Sequence, residues 1–133
     1  MAIQFSIAVR NGMMNALETE GGVSCILKIR TGAQPADCAT ADAGTVLVTM
    51  NLASDWMGAA SSGAVAKAGT WQDASADATG TAAHFRLYKT DGTTCIMQGT
   101  VGQGSGDLSL DNTSIVAGQQ VTVNTFTLTA GGA

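Results

Sequence analysis

The sequence predicts a mainly β domain, an antiparallel β-sandwich of jelly-roll type preceded by one N-terminal α-helix. From Ala83 to Gly132, short β-rich runs are separated at near-regular intervals by glycine-bearing turns. Near the N-terminus, Phe5, Val9, Met13 and Leu17 recur every four residues, the spacing of one helix face. About seven short strands following a single helix fit a sandwich better than a parallel α/β fold. The domain reading is one unit over 1–133, with the helix at 4–20 and the sandwich at 23–129.

The helix is placed on Gln4 to Glu20, with Ala8, Gly12 and Ala16 beside the apolar stripe, and Gly21-Gly22 supplies the stop. Gly12 weakens it by about 1 kcal/mol relative to alanine. An apolar stripe needs cover, and packing on the chain's own β domain is expected ahead of docking on another subunit. Val23 to Thr31 is the first strand, with Cys25, Leu27 and Ile29 on one face and Lys28 and Arg30 on the other. Ala33 to Gly44, holding the only proline and two aspartates, reads as a crossing loop.

Thr45 to Leu52 is the second strand, and Ser54 to Gly63 reads as an irregular surface connection. Ala64 to Gln72 gives a short strand ending near Trp71, and Asp73 to Ala82 a small-residue loop. Ala83 to Lys89 alternates Phe85 and Leu87 against His84, Arg86 and Tyr88. Thr90-Asp91-Gly92-Thr93 is a tight turn, so Cys95 to Val101 folds back as its partner. Gly102 to Gly106 is a flexible corner before the run Asp107 to Asp111, whose Leu108 and Leu110 point inward. After a turn at Val116 to Gln119, the last strand, Gln120 to Thr129, shifts apolar parity from Val121 and Val123 to Phe126 and Leu128. A β-bulge near Asn124-Thr125 reconciles the two halves.

Composition narrows function mainly by exclusion. The 133 residues suffice for one core, but only 12% are charged, and alanine, glycine and threonine make that core thin in large side chains. Stability is therefore expected to lean on neighbouring copies or subunits. A formal net charge of −4, with six scattered Lys and Arg, offers no basic stripe for a phosphate backbone, so nucleic acid is not an expected partner. There is no membrane-length apolar run and no secretory-signal pattern, which predicts a chain made in the cytoplasm. Cys25, Cys38 and Cys95 form an odd set without Cys-x-x-Cys spacing, read as free and mostly buried thiols.

Each catalytic or ligand-binding candidate falls to a simpler reading. His84, the only histidine, has no nucleophile or orienting acid paired with it by pattern and reads as a strand residue. Asp73-Ala74-Ser75-Ala76-Asp77 begins like a calcium loop, but the sixth and twelfth positions are Ala78 and His84 where an EF-hand needs glycine and glutamate. Gly102, Gly104 and Gly106 precede a strand pattern instead of a phosphate-binding helix N-terminus. No enzyme, metal or cofactor is expected. Trp56 with Met57, on the irregular connection, is the candidate partner interface, while core packing is the simpler role for Trp56 and Trp71.

Four stretches carry a resemblance: Ile3-Gln4-Phe5-Ser6, Ile29-Arg30-Thr31-Gly32-Ala33, Ser54-Asp55-Trp56-Met57, and the close from Gly99-Thr100-Val101-Gly102-Gln103-Gly104 through Gly131. Together they resemble a family of small proteins encoded in the structural modules of tailed bacteriophages and prophages. The resemblance implies a virion structural protein, foremost a head decoration or cement protein that ties major capsid protein subunits together on the capsid surface. A tail or fibre component that binds a host receptor is the alternative. It transfers no binding residues.

Overall fold

Ser6 starts the helix by accepting a hydrogen bond from Val9 N at 3.2 Å, satisfying one of the free donors of the first turn. The computed structural model describes residues 3–132, so Met1, Ala2 and Ala133 of the single-domain span lie outside the described residues. Its elements are α1 (Ile7–Gly21), β1 (Ile26–Arg30), β2 (Val46–Asn51), β3 (Ala64–Ala66), β4 (Gln72–Asp73), β5 (Gly80–Thr81), β6 (His84–Tyr88), β7 (Cys95–Gln103), β8 (Leu108–Leu110), β9 (Ser114–Ile115) and β10 (Val121–Thr129). The protein is thus mainly β with one N-terminal helix. Each expected strand is present, but Ala64 to Gln72 is split into β3 and β4, and the two-residue strands β5 and β9 pair with each other.

The main sheet runs β2-β1-β6-β7-β8-β10-β3, with β4 on the other half of β10. β1 lies between β2 and β6, and β6 pairs with β7 across the turn anticipated at Thr90 to Thr93. That turn closes on Asp91, whose carboxylate accepts from Thr93 N and Thr94 N, each at 2.8 Å. The register of β10 against β8 shifts between Val123 and Thr125, so the inferred bulge is present.

One pairing overturns the antiparallel expectation: β7 and β8 run parallel, with Val101 opposite Leu108 and Gln103 opposite Leu110. Parallel neighbours ordinarily need a crossover of a dozen or more residues. Here the chain doubles back within 104–107. A Cβ on Gly102 would lie 2.5 Å from Ser105 O, and Gly106 has φ +81 with its Cβ position 2.9 Å from Gly102 N. The segment read as a flexible corner is therefore a tight double reversal that only glycine fits. Asp107 locks it by accepting from Thr100 N at 2.9 Å and Thr100 Oγ1 at 3.1 Å.

The resulting mixed sheet curls into a half-barrel, and the expected antiparallel jelly-roll sandwich is not borne out. Its curl brings 73–77 against the outer edge of β2, where Asp77 N donates to Leu47 O at 2.7 Å. Thr49 N donates to Asp73 Oδ2 at 3.1 Å, and Thr49 Oγ1 to Asp77 Oδ2 at 2.7 Å. The carboxylates that began like a calcium loop thus cap strand-edge donors.

Within the curl lie Leu27, Ile29, Leu47, Met50, Leu87 and Leu108, each at most 1% exposed. An aromatic file crosses this core: Trp56 to Trp71 at 6.3 Å between ring centroids, Trp71 to Phe126 at 5.3 Å, and Phe126 edge-on to Phe85 at 5.5 Å. Large side chains are few in the composition, and the fold concentrates them in this one place.

Candidate functional site

Helix α1 packs on the β domain as expected, but through a face offset from the apolar stripe: of Val9, Met13 and Leu17, only Leu17 packs against the core. The covered positions are Arg10, Asn11, Met14, Leu17 and Glu18, with Gly21 buried, a set spaced by three and four residues. Three helix side chains hold the 57–63 segment: Asn11 Oδ1 accepts from Gly63 N at 2.8 Å, Asn15 Oδ1 from Ala60 N at 3.1 Å and Glu18 Oε2 from Met57 N at 2.7 Å. Backbone donors of an irregular segment need partners, and a polar ladder on the helix supplies them. At the helix end, a Cβ on Gly21 would lie 3.0 Å from the Trp56 ring, and Trp56 Nε1 donates to Gly22 O at 2.9 Å.

The opposite face is consequently turned outward. Val9 is 48% and Met13 42% exposed. Between this face and the start of β7 lies a groove of about 220 Å³, lined by Met13, Ala16, Leu17, Glu20, Ile96 and Met97. Glu20 at its rim pairs with Lys89 at 3.5 Å. This combination of an unpartnered apolar helix face and an apolar groove is the candidate interface.

A second constellation sits on the outer face of β1, β6 and β7, under the loop 33–44. Asp42 is its centre: Oδ1 accepts from Arg86 Nη1 at 2.9 Å and from Tyr88 Oη at 2.6 Å, and Oδ2 from Arg30 Nη2 at 3.1 Å. Arg86, 2% exposed, also donates to Asp37 O, Thr40 O and Gln98 Oε1, and Gln98 Nε2 donates to Pro35 O at 2.6 Å. Burial works to raise the Asp42 carboxyl, but the Tyr88 hydroxyl and the two guanidinium groups outweigh it and hold it below the usual carboxylate range. Burial, followed by the bond to Asp42, pushes the Tyr88 hydroxyl up. The polar half of the alternating strand 84–88 is therefore as buried as the apolar half, because the loop covers it.

The same loop brings two cysteines together. Cys38 and Cys95 are both half-buried, and the Cys38 thiol lies near enough to bear on that of Cys95. Burial, then the Cys38 thiol, push Cys95 up to about 12. Of the thiols read as mostly buried, Cys25 is fully so, with its sulfur 3.4 Å from Gly21 O. A separation of fifty-seven residues carries no spacing signal, so only the loop's docking reveals the pair.

The remaining sequence candidates fall as follows. Trp56 and Met57, named for a partner interface, are 0% and 3% exposed and present no side-chain surface, because the curl of the sheet and the helix end enclose the connection that carries them. Trp71 packs in the aromatic file. His84 is fully buried, with Nδ1 2.8 Å from Gly32 O and no partner at Nε2 among the described residues. No nucleophile or acid is bonded to its ring there. No described helix is long and apolar enough to cross a membrane. No family model, curated protein or solved structure matches the chain.

Proposed function

We propose that the protein is a bacteriophage virion structural protein, a decoration or cement protein that binds major capsid protein subunits on the capsid surface. The observation that carries this reading is the helix docked through its polar ladder, with Val9 and Met13 facing outward beside the groove at Ile96 and Met97. Exposed apolar area of this kind gains free energy when a neighbour covers it. On a capsid lattice each copy needs only a weak contact, because many copies act together across subunit boundaries. The resemblance of nearly the whole chain to small phage structural-module proteins points the same way.

The test is the resilience of assembled heads with and without the protein. Heads lacking it should open at lower temperature or under milder osmotic shock, and heads of unchanged resilience would remove the proposal. Electron microscopy of the particle separates this role from a tail or fibre protein. Density on the tail, with binding of purified protein to host cells, would replace cement with receptor recognition.

A further inference from the structure

We propose that Cys38 and Cys95 are a disulfide-forming pair whose oxidation locks the loop 33–44 onto the β6–β7 hairpin. The chain on either side of each sulfur is already held by hydrogen bonds. Around Cys38, the carbonyls of Pro35, Asp37 and Thr40 and the carboxylate of Asp42 all bond to side chains of β6 and β7. Around Cys95, the register places Tyr88 directly opposite and Arg86 opposite Gln98, so the residues that bind the loop flank the cysteine on the same sheet face. These bonds hold the loop that carries Cys38 down on the strands beside Cys95, and an S–S bond of about 2.05 Å there would tie loop and hairpin together.

The chemistry balances with a small disulfide such as oxidised glutathione as the oxidant. The Cys38 sulfur, as thiolate, attacks one glutathione sulfur and releases one glutathione thiol. Cys95 then loses its proton and attacks the Cys38 sulfur, breaking the mixed disulfide and releasing the second glutathione. Two protein thiols are oxidised by two electrons, and one glutathione disulfide is reduced to two thiols. Burial and the Cys38 thiol hold Cys95 protonated, which makes Cys38 the sulfur that attacks glutathione first and Cys95 the one that resolves the mixed disulfide. Cys25 is an internal control, since it is fully buried and its thiol bonds to Gly21 O at 3.4 Å.

The experiment equilibrates the full-length protein in glutathione redox buffers, quenches it with acid, blocks free thiols and maps tryptic peptides. Cleavage at the six Lys and Arg residues puts Cys25 on 11–28, Cys38 on 31–67 and Cys95 on 90–133. The expected product links 31–67 to 90–133, with the thiol count under denaturant falling from three to one. The melting temperature should rise by about 5–15 °C on oxidation. Amide exchange across 33–44 should slow. The Cys25→Ser variant should behave identically, while Cys38→Ser and Cys95→Ser should lose the response.

Several results would overturn the proposal: glutathione retained on Cys38 or Cys95 without linkage, pairing to Cys25, or cross-linked dimers as the main product. A 38–95 linkage that neither raises the melting temperature nor slows exchange would equally reject the lock. Mapping of the unmodified chain decides the matter even where a cysteine variant folds poorly. The outcome is independent of the proposed role on a capsid.

Discussion

Trp56 and Trp71 stand side by side in the aromatic file but differ in what happens to one nitrogen. Trp56 Nε1 donates to Gly22 O, whereas Trp71 Nε1 is buried without a partner among the described residues. Replacing either by phenylalanine opens a similar gap, but only Trp56→Phe also removes a hydrogen bond, leaving Gly22 O with the Cys25 thiol at 3.5 Å as its donor. Trp56→Phe should therefore cost about 1–1.5 kcal/mol more than Trp71→Phe in urea unfolding. Equal losses would mean that the bond to Gly22 contributes nothing. At this scale the sequence was informative in part. Core packing was the simpler role for both tryptophans, and Met57 joins them inside. What no periodicity shows is that Trp56 anchors the end of the helix, because that depends on a contact across thirty-four residues.

Among the elements, the loop 33–44 departs most from its pattern. Its proline, aspartates and alanines read as a crossing, which it is, but its carboxylates and carbonyls also enclose two arginines. Asp42 keeps 41% of its side chain exposed, so solvent screening reduces the loss on removing its charge below that of a fully buried pair. Asp42→Asn should cost about 1–3 kcal/mol at neutral pH, chiefly by leaving Arg86 and Arg30 short of a counter-charge. The acid dependence has a definite sign. The carboxyl is held lower in the folded chain than the ordinary value of about 3.9, so its contribution is complete above about pH 4. It is lost as pH falls through the folded value. Thermal melts from pH 7 downward should show a plateau and then a decline that Asp42→Asn makes shallower. Asp37 and Asp91, also held low by their threonine hydrogen bonds and Asp91 to about 2, leave a residual slope. A variant with the wild-type acid limb would show that Asp42 is not the group responsible. The bulge in β10 was readable because a parity shift is a local signal. The parallel β7–β8 pair was not, since glycine permits many turns and only the packing of 102–107 selects this one.

For the whole molecule, the helix settles which surface is free. Its four-residue apolar repeat predicted a buried stripe on the chain's own β domain, yet the domain binds the face carrying Asn11, Asn15 and Glu18. If Val9 and Met13 serve an outside partner, Val9→Asp with Met13→Asp should leave the melting temperature of the isolated protein within about 2 °C of wild type, as surface changes do. Binding to assembled heads should fall at least tenfold in a co-sedimentation assay. Full binding by the double variant would place the contact elsewhere. The mainly β character with one helix, the glycine stop, the longer strands, the hairpin and the bulge were legible in the sequence, because these follow from periodicity and turn chemistry within a few residues. Only the tertiary structure decided the parallel pairing, the half-barrel curl, the meeting of Cys38 with Cys95 and the outward face of the helix. Each of these depends on which distant backbone donors and buried charges find partners, and that is fixed by the folded geometry and not by any local run of residues.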